Sequence, residues 1–256
     1  RSKNKVEQPM IKDFDLLQRA NNDYTTIDLE HAEELAYREL IDSIRYIPLG
    51  DECGVMGNID NIITYKGRFY IQEEQFDRVF IYDDTGRCLK KIDNKGRGPG
   101  EYLRIESIDI NTEKEELMLV DGMSDKLFFY DLDGNFKSIH SIRYFQTENT
   151  LCLRDSVFLH ISAPSQNFGN EGLYGYALVL SKGNENFLKG YRYLPLQVGY
   201  KGGGQIFKGY ERSCYHPIYS DTIYQILSDT TYGPIFYFKI KNSSWEKYHN
   251  SDRFVD

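Results

Sequence analysis

Two ten-residue runs standing 48 positions apart constrain the fold of this chain more than any other feature. Asp77-Arg-Val-Phe-Ile-Tyr-Asp-Asp-Thr-Gly86 aligns with Asp125-Lys-Leu-Phe-Phe-Tyr-Asp-Leu-Asp-Gly134, with five of ten residues identical. The preceding apolar run keeps the offset, since Phe69-Tyr-Ile71 falls on Leu117-Met-Leu119. Two periods beyond Asp125 comes Asp221-Thr-Ile-Tyr-Gln-Ile226, again an Asp followed by an alternating apolar run. The intervening position, Leu173, lacks the Asp. A related run, Tyr176 to Leu180, follows it behind a longer loop over 163–172.

Each period reads as four short strands cut by turn signals such as Asp83-Asp-Thr-Gly86 and Asp131-Leu-Asp-Gly134. In the second unit the strands are expected over Ile105–Ile110, Glu116–Val120, Leu127–Asp131 and Phe136–Ile142. A four-stranded unit recurring every 40 to 50 residues is the mark of a β-propeller blade. One blade cannot bury both faces alone, so neighbours stack and share the burial. A β-sandwich explains the strands but not the repeated Asp. Composition agrees: 21 Tyr and 15 Phe favour strands, and 21 Gly supply turns. The fold class is therefore all-β, a propeller of four-stranded antiparallel blades, with four units placed between about Gly50 and Ile240. Residues 1–40 read as an N-terminal arm: a polar tether over Arg1–Asn22, then a short helix within Leu29–Ile41. Residues 41–256 form the propeller. A lead-in strand over Ser43–Pro48 is expected to pair with the first blade or to hang as an open edge.

The segment Arg78 to Ile139 resembles NHL-type propeller repeats. The matching pieces are the Tyr-Asp-x-x-Gly turns at Tyr82–Gly86 and Tyr130–Gly134, with the glycine-rich connector Gly96-Arg-Gly-Pro-Gly-Glu-Tyr102 between them. Together with Ile41–Leu49 and Tyr219–Gln225, they resemble the six-bladed NHL/TolB-like exported proteins of gut Bacteroidota. The resemblance implies six blades and an extracytoplasmic place, in the periplasm or at the cell surface, with a lipid anchor upstream of Arg1 as one form of attachment. Members of that group mostly have no assigned activity. Six units of 48 would outrun 256 residues, so the resemblance implies an incomplete ring here: an open arc with self-association as its consequence.

The charge excludes some partners. Thirty-one basic residues against 39 acidic give −8, which opposes nucleic acid and anionic lipid. No apolar window is long enough for a transmembrane helix. Cys53, Cys88, Cys152 and Cys214 suffice for two disulfides, but their wide spacing reads as four small buried side chains. No metal-binding spacing is present, no nucleophile motif accompanies the five histidines, and no cofactor is expected. The chain begins at Arg1 without Met, as after removal of a signal segment or at a chosen boundary.

The candidate ligand site is the blade connector, with Arg97, Glu101, Tyr102 and Arg104 around backbone amides that could face an anion or a sugar. The alternative is a structural turn, shaped by Gly96, Gly98 and Gly100, with Glu101 paired to a neighbouring base. Asp77, Asp125 and Asp221 read as turn residues accepting backbone hydrogen bonds rather than a cation-binding ring. Gly86 and Gly134 close the repeated turns. Two functions compete: a non-catalytic binding or scaffold propeller for a protein, peptide or glycan, and a propeller lyase or hydrolase acting on a carbohydrate or small ester at the axial face.

Overall fold

The structure is a computed structural model. It describes residues 15–16, 18–20, 23–31, 36, 39, 41–142, 146–154, 156–161, 176–182, 186–192, 204–208, 212–217, 220–228 and 231–240. Three short strands come first: β1 (Asp15–Leu16), β2 (Gln18–Arg19) and β3 (Thr25–Asp28). Four antiparallel sheets follow as propeller blades, each in chain order from the inner strand outward. The first blade is β4 (Ile59–Tyr65), β5 (Arg68–Glu73), β6 (Arg78–Asp83) and β7 (Cys88–Ile92). The second is β8 (Ser107–Asn111), β9 (Glu116–Asp121), β10 (Lys126–Asp131) and β11 (Phe136–Ser141). The third is β12 (Asn149–Arg154), β13 (Val157–Ile161), β14 (Tyr176–Lys182) and β15 (Asn186–Arg192). The fourth is β16 (Gln205–Lys208), β17 (Ser213–His216), β18 (Thr222–Ile226) and β19 (Thr231–Lys239).

The 48-residue period survives in the register. Tyr82 of β6 pairs with Phe69 and Cys88, while Tyr130 of β10 pairs with Leu117 and Phe136, each partner displaced by one period. Both strands carry a β-bulge immediately before that tyrosine. The turns repeat too. Asp83 Oδ1 accepts from the amides of Thr85 and Arg87, and Asp131 Oδ1 from those of Asp133 and Asn135. Gly86 and Gly134 close them at φ 88° and 80°, where a side chain is strained.

Alternation along each strand gives every blade two apolar faces, and three clusters join the blades in sequence. Val79, Ile81 and Ile92 of the first blade meet Leu117, Leu119, Phe128 and Tyr130 of the second. Met118, Val120, Leu127 and Phe129 of the second meet Cys152 and Phe158 of the third. Leu159, Ile161, Leu178 and Leu180 of the third meet Ile206, Tyr215, Tyr224 and Tyr232 of the fourth. Among the described residues no such cluster joins the fourth blade to the first.

The remaining face of the first blade consists of Phe69, Ile71, Phe80 and Tyr82, one period before Leu117, Leu119, Phe128 and Tyr130. It is therefore the face that a preceding blade would cover. Here a strap over residues 50–57 covers it, through Cys53 and Met56. The Gly50 amide donates to Gly86 O at 2.8 Å, the Tyr82 hydroxyl donates to Gly50 O at 3.2 Å, and a Cys53–Cys88 disulfide fastens the strap.

Several sequence expectations change. Cys53 and Cys88 are bonded, whereas Cys152 and Cys214 are buried thiols as expected. Residues 43–50 are not a strand. They run exposed along the first blade, held where the Arg45 guanidinium donates to Asp84 O at 2.8 Å. The segment that extends the last sheet lies earlier, because β2 and β3 pair in parallel with β19, and β1 with β15 of the third blade. These strands fall in the stretch that composition marks as an arm. Most of the expected helix lies outside the described residues, as do the 163–172 loop and Leu173. The described blades number four, and the six of the resembled group are not seen.

Candidate functional site

The connector from β7 to β8 folds on itself. The Gly96 amide donates to Tyr102 O at 2.9 Å, the Glu101 amide to Gly98 O at 3.1 Å, and Gly100 takes φ 81°. The Gly98 amide donates to Glu101 Oε2 at 2.6 Å, so the connector's own carboxylate occupies the donor that an anion would need. A Cβ on Gly96 would meet the mobile end of that carboxylate, which would have to swing aside. Glu101 thus bonds the loop backbone rather than a neighbouring base.

Tyr102 is fully buried among the first and second blades, edge-on to Phe128. Its hydroxyl donates to Asp77 O at 2.8 Å and accepts from the Asn94 amide at 3.1 Å. The second and fourth blades make that link directly. The Ile142 amide donates to Asp125 O and the Phe238 amide to Asp221 O, both at 2.8 Å. In the first blade the Tyr102 hydroxyl is inserted into the equivalent link. Burial pushes its ionisation well above the ordinary tyrosine value.

The three repeated aspartates directly precede or lead into β6, β10 and β18. Asp77 and Asp125 adopt φ 57° and 54°. The Asp77 carboxylate pairs with Lys95 and accepts from the Ile105 amide at 3.1 Å, tying the connector to the β5–β6 turn. Burial, aided by Asp121, raises the Asp125 carboxyl. Asp221 Oδ1 accepts from the Thr222 hydroxyl at 3.0 Å. Arg97 projects into solvent, and Arg104 is 55 % exposed with Glu106 at 3.7 Å. The four predicted ligand residues therefore share one connector, with Tyr102 in the core and the two arginines outside.

Other polar groups gave no signal in the sequence. Asp109 of the inner strand β8 is 3 % exposed, accepts from the Cys152 amide, and meets Lys208 of the inner strand β16 at 2.6 Å. Burial raises the Asp109 carboxyl against the pull of Lys208. Within the third blade, Thr150 Oγ1 lies 2.9 Å from His160 Nδ1, and Ser181 Oγ lies 2.7 Å from His160 Nε2. The set resembles a nucleophile and base, but His160 is fully buried and reaches no solute. Asp121 and Glu106 finish the connector's attachment, accepting from the Leu103 and Gly122 amides. Asp28, Glu30 and His31 cluster on the surface, where Lys239 pairs with both acids.

Fold and connector define the class of the protein: an all-β propeller whose most distinctive loop joins two blades. The chain belongs to the family described as Domain of unknown function (DUF4934), whose profile matches residues 24–254. No curated protein sequence matches it. Among solved structures it is similar to a candidate exported protein of Bacteroides fragilis, with 20% identity and a TM-score of 0.72 over 85% of this chain. The chain spans 61% of that neighbour's length. Looser likenesses are a DUF4221 family member from Bacteroides vulgatus, with 12% identity over 69% of this chain and 56% of that one (TM-score 0.43), and a catalytically inactive virginiamycin B lyase from Staphylococcus aureus, with 10% identity over 69% and 55% (TM-score 0.45). Among the described residues no helix is long and apolar enough to cross a membrane.

Proposed function

We propose that the chain is a non-catalytic binding or scaffold propeller working outside the cytoplasm, with a protein, peptide or glycan as its ligand. The observation that carries the non-catalytic part is the use of the connector's polar groups within the fold: Glu101 on Gly98, Asp77 on Lys95 and Ile105, Asp121 on Leu103. A loop so engaged holds blades together and presents what projects from it. The turns between second and third strands emerge on the same propeller face as the connector. On that face Phe76 is 45 % and Met123 66 % exposed, beside the exposed Arg97 and Arg104. Exposed apolar side chains with arginine suit a binding surface. The Cys53–Cys88 bond supports an oxidising compartment.

Calorimetric titration with peptide and oligosaccharide panels tests the reading. A ligand of this face should lose at least tenfold in affinity to a Phe76→Ser, Met123→Ser double variant of unchanged melting temperature. Turnover of an ester or glycoside substrate would overturn it. Thiol counting on protein taken from cells tests the compartment: two thiols before reduction and four after are expected, and four before reduction would contradict it.

A further inference from the structure

Glu73 ends β5 as a buried carboxylate without a partner. It is 0 % exposed, and among the described residues neither of its carboxylate oxygens meets a donor. Arg78, its register partner on β6, pairs with Asp93, and Lys95 pairs with Asp77. By alternation Glu73 continues the row of Phe69 and Ile71 on the face beneath the strap. One period on, Asp121 stands at the same place at the end of β9. That carboxylate is fully engaged. Its Oδ1 accepts from the Met123 and Ser124 amides, and its Oδ2 from the Leu103 amide and the Ser124 hydroxyl. In the first blade Gln75 and Phe76 replace Met123 and Ser124. Phe76 has no hydroxyl, and the longer Glu73 side chain accepts from neither amide. An ionised group left this way carries its full desolvation cost, so the site calls for a counter-charge.

We propose that Glu73 anchors a calcium site between the strap and the β5–β6 turn, with Gln75 as its second protein ligand. The chain closes over the carboxylate here, because the Glu74 amide donates to Asn58 O at 3.1 Å and so holds Gly57 above Glu73. The point where a Gly57 side chain would begin lies against Glu73 Oε1 and 2.7 Å from Gln75 Oε1. Oxygens of two residues therefore converge beside a stretch of backbone that carries no side chain. A carboxylate with an amide carbonyl is an all-oxygen donor set, which suits a hard cation and not one that seeks nitrogen or sulfur. Calcium accepts irregular sets of oxygens and completes its shell with water, whereas magnesium demands a near-ideal octahedron. Gln75 is exposed and Glu73 is not, so ion and water enter from the Gln75 side. The burial of Glu73 also favours a bare ion over a lysine or arginine of a partner, which would have to reach beneath the strap.

Calorimetric titration with calcium tests this on the whole chain, stripped with a chelator that is then removed. One ion per chain should bind, with a Kd of about 10⁻⁴–10⁻³ M, the range of extracellular calcium modules. The melting temperature should rise with calcium, because only the folded chain offers the site. Glu73→Gln, which keeps the shape and removes the charge, should lose both the ion and the calcium dependence of melting. Gln75→Glu should tighten binding at least tenfold. The same variant exposes the competing arrangement, in which the Gln75 amide is turned to donate to Glu73: calcium affinity would then not improve, and the proposal falls. Asp28→Asn, in the surface cluster with Glu30 and His31, should leave binding unchanged. Should Glu73→Gln fail to fold, the affinity of Gln75→Glu decides. A wild type that binds no calcium in this range overturns the proposal. So does a Glu73→Gln variant that binds as the wild type does, or binding that Asp28→Asn removes.

Discussion

Tyr102 shows how much of this fold rests on single polar atoms. Its ring fills the space between two blades while its hydroxyl relays a hydrogen bond from the Asn94 amide to Asp77 O. Tyr102→Phe keeps the ring and removes the relay, leaving the buried Asp77 carbonyl and the part-buried Asn94 amide without this partner. The expected loss is about 1–3 kcal/mol, read from the urea midpoint. A neutral result would mean that water replaces the hydroxyl. His160 gives a pH signature. Burial pushes its ring down to about 3, whereas a free imidazole titrates near 6.5. As pH falls through that window, the unfolded chain takes up a proton that the folded chain refuses. The contribution to stability is complete above about 6.5 and is lost toward about 3, at up to roughly 1.4 kcal/mol per pH unit. Stability measured at pH 7 and pH 4.5 should fall less in His160→Gln than in the wild type. An unchanged slope would show that His160 is not the group responsible.

At the scale of the element, the connector glycines separate into three roles. Gly98 does not have the positive φ that a glycine-rich turn suggests; Gly100 does. Gly96 lies against the Glu101 carboxylate, and Gly98 lends it an amide. Gly100→Val should therefore cost about 1–2 kcal/mol or more and lower the melting temperature by several degrees. Gly98→Ala, whose Cβ meets only the mobile carboxylate end of Glu101 at 3.1 Å, should cost less. The reverse order would contradict this assignment. The strap is the second such element. Its disulfide closes a separation of 35 residues, for which chain entropy alone gives about 4 kcal/mol. Cys53→Ser should lose stability of that order in chemical denaturation, and a loss well under about 1 kcal/mol would mean that packing alone holds the strap.

For the whole molecule, the propeller was legible because its signal is local and repeated. An Asp, an alternating run and a closing Gly recur at one spacing, and the bulges and turns recur with them. The strap, the Asp109–Lys208 pair and the parallel pairing of β1–β3 were not legible. Their partners lie between 35 and more than 200 residues away and carry no pattern of their own. The connector was legible as a loop between blades. Its internal use of Glu101 was not, because a Gly-Glu spacing does not reveal which amide a carboxylate meets. Four blades stand in sequence, and the strap takes the place of a preceding blade on the first. Hydrogen exchange of the oxidised protein, resolved by peptide, decides whether this holds. Residues 68–83 of β5 and β6 should be protected as strongly as residues 116–131 of β9 and β10, since each pair is covered on both faces. Exchange of 68–83 at the rate of an uncovered edge sheet, with 116–131 still protected, would contradict the claim.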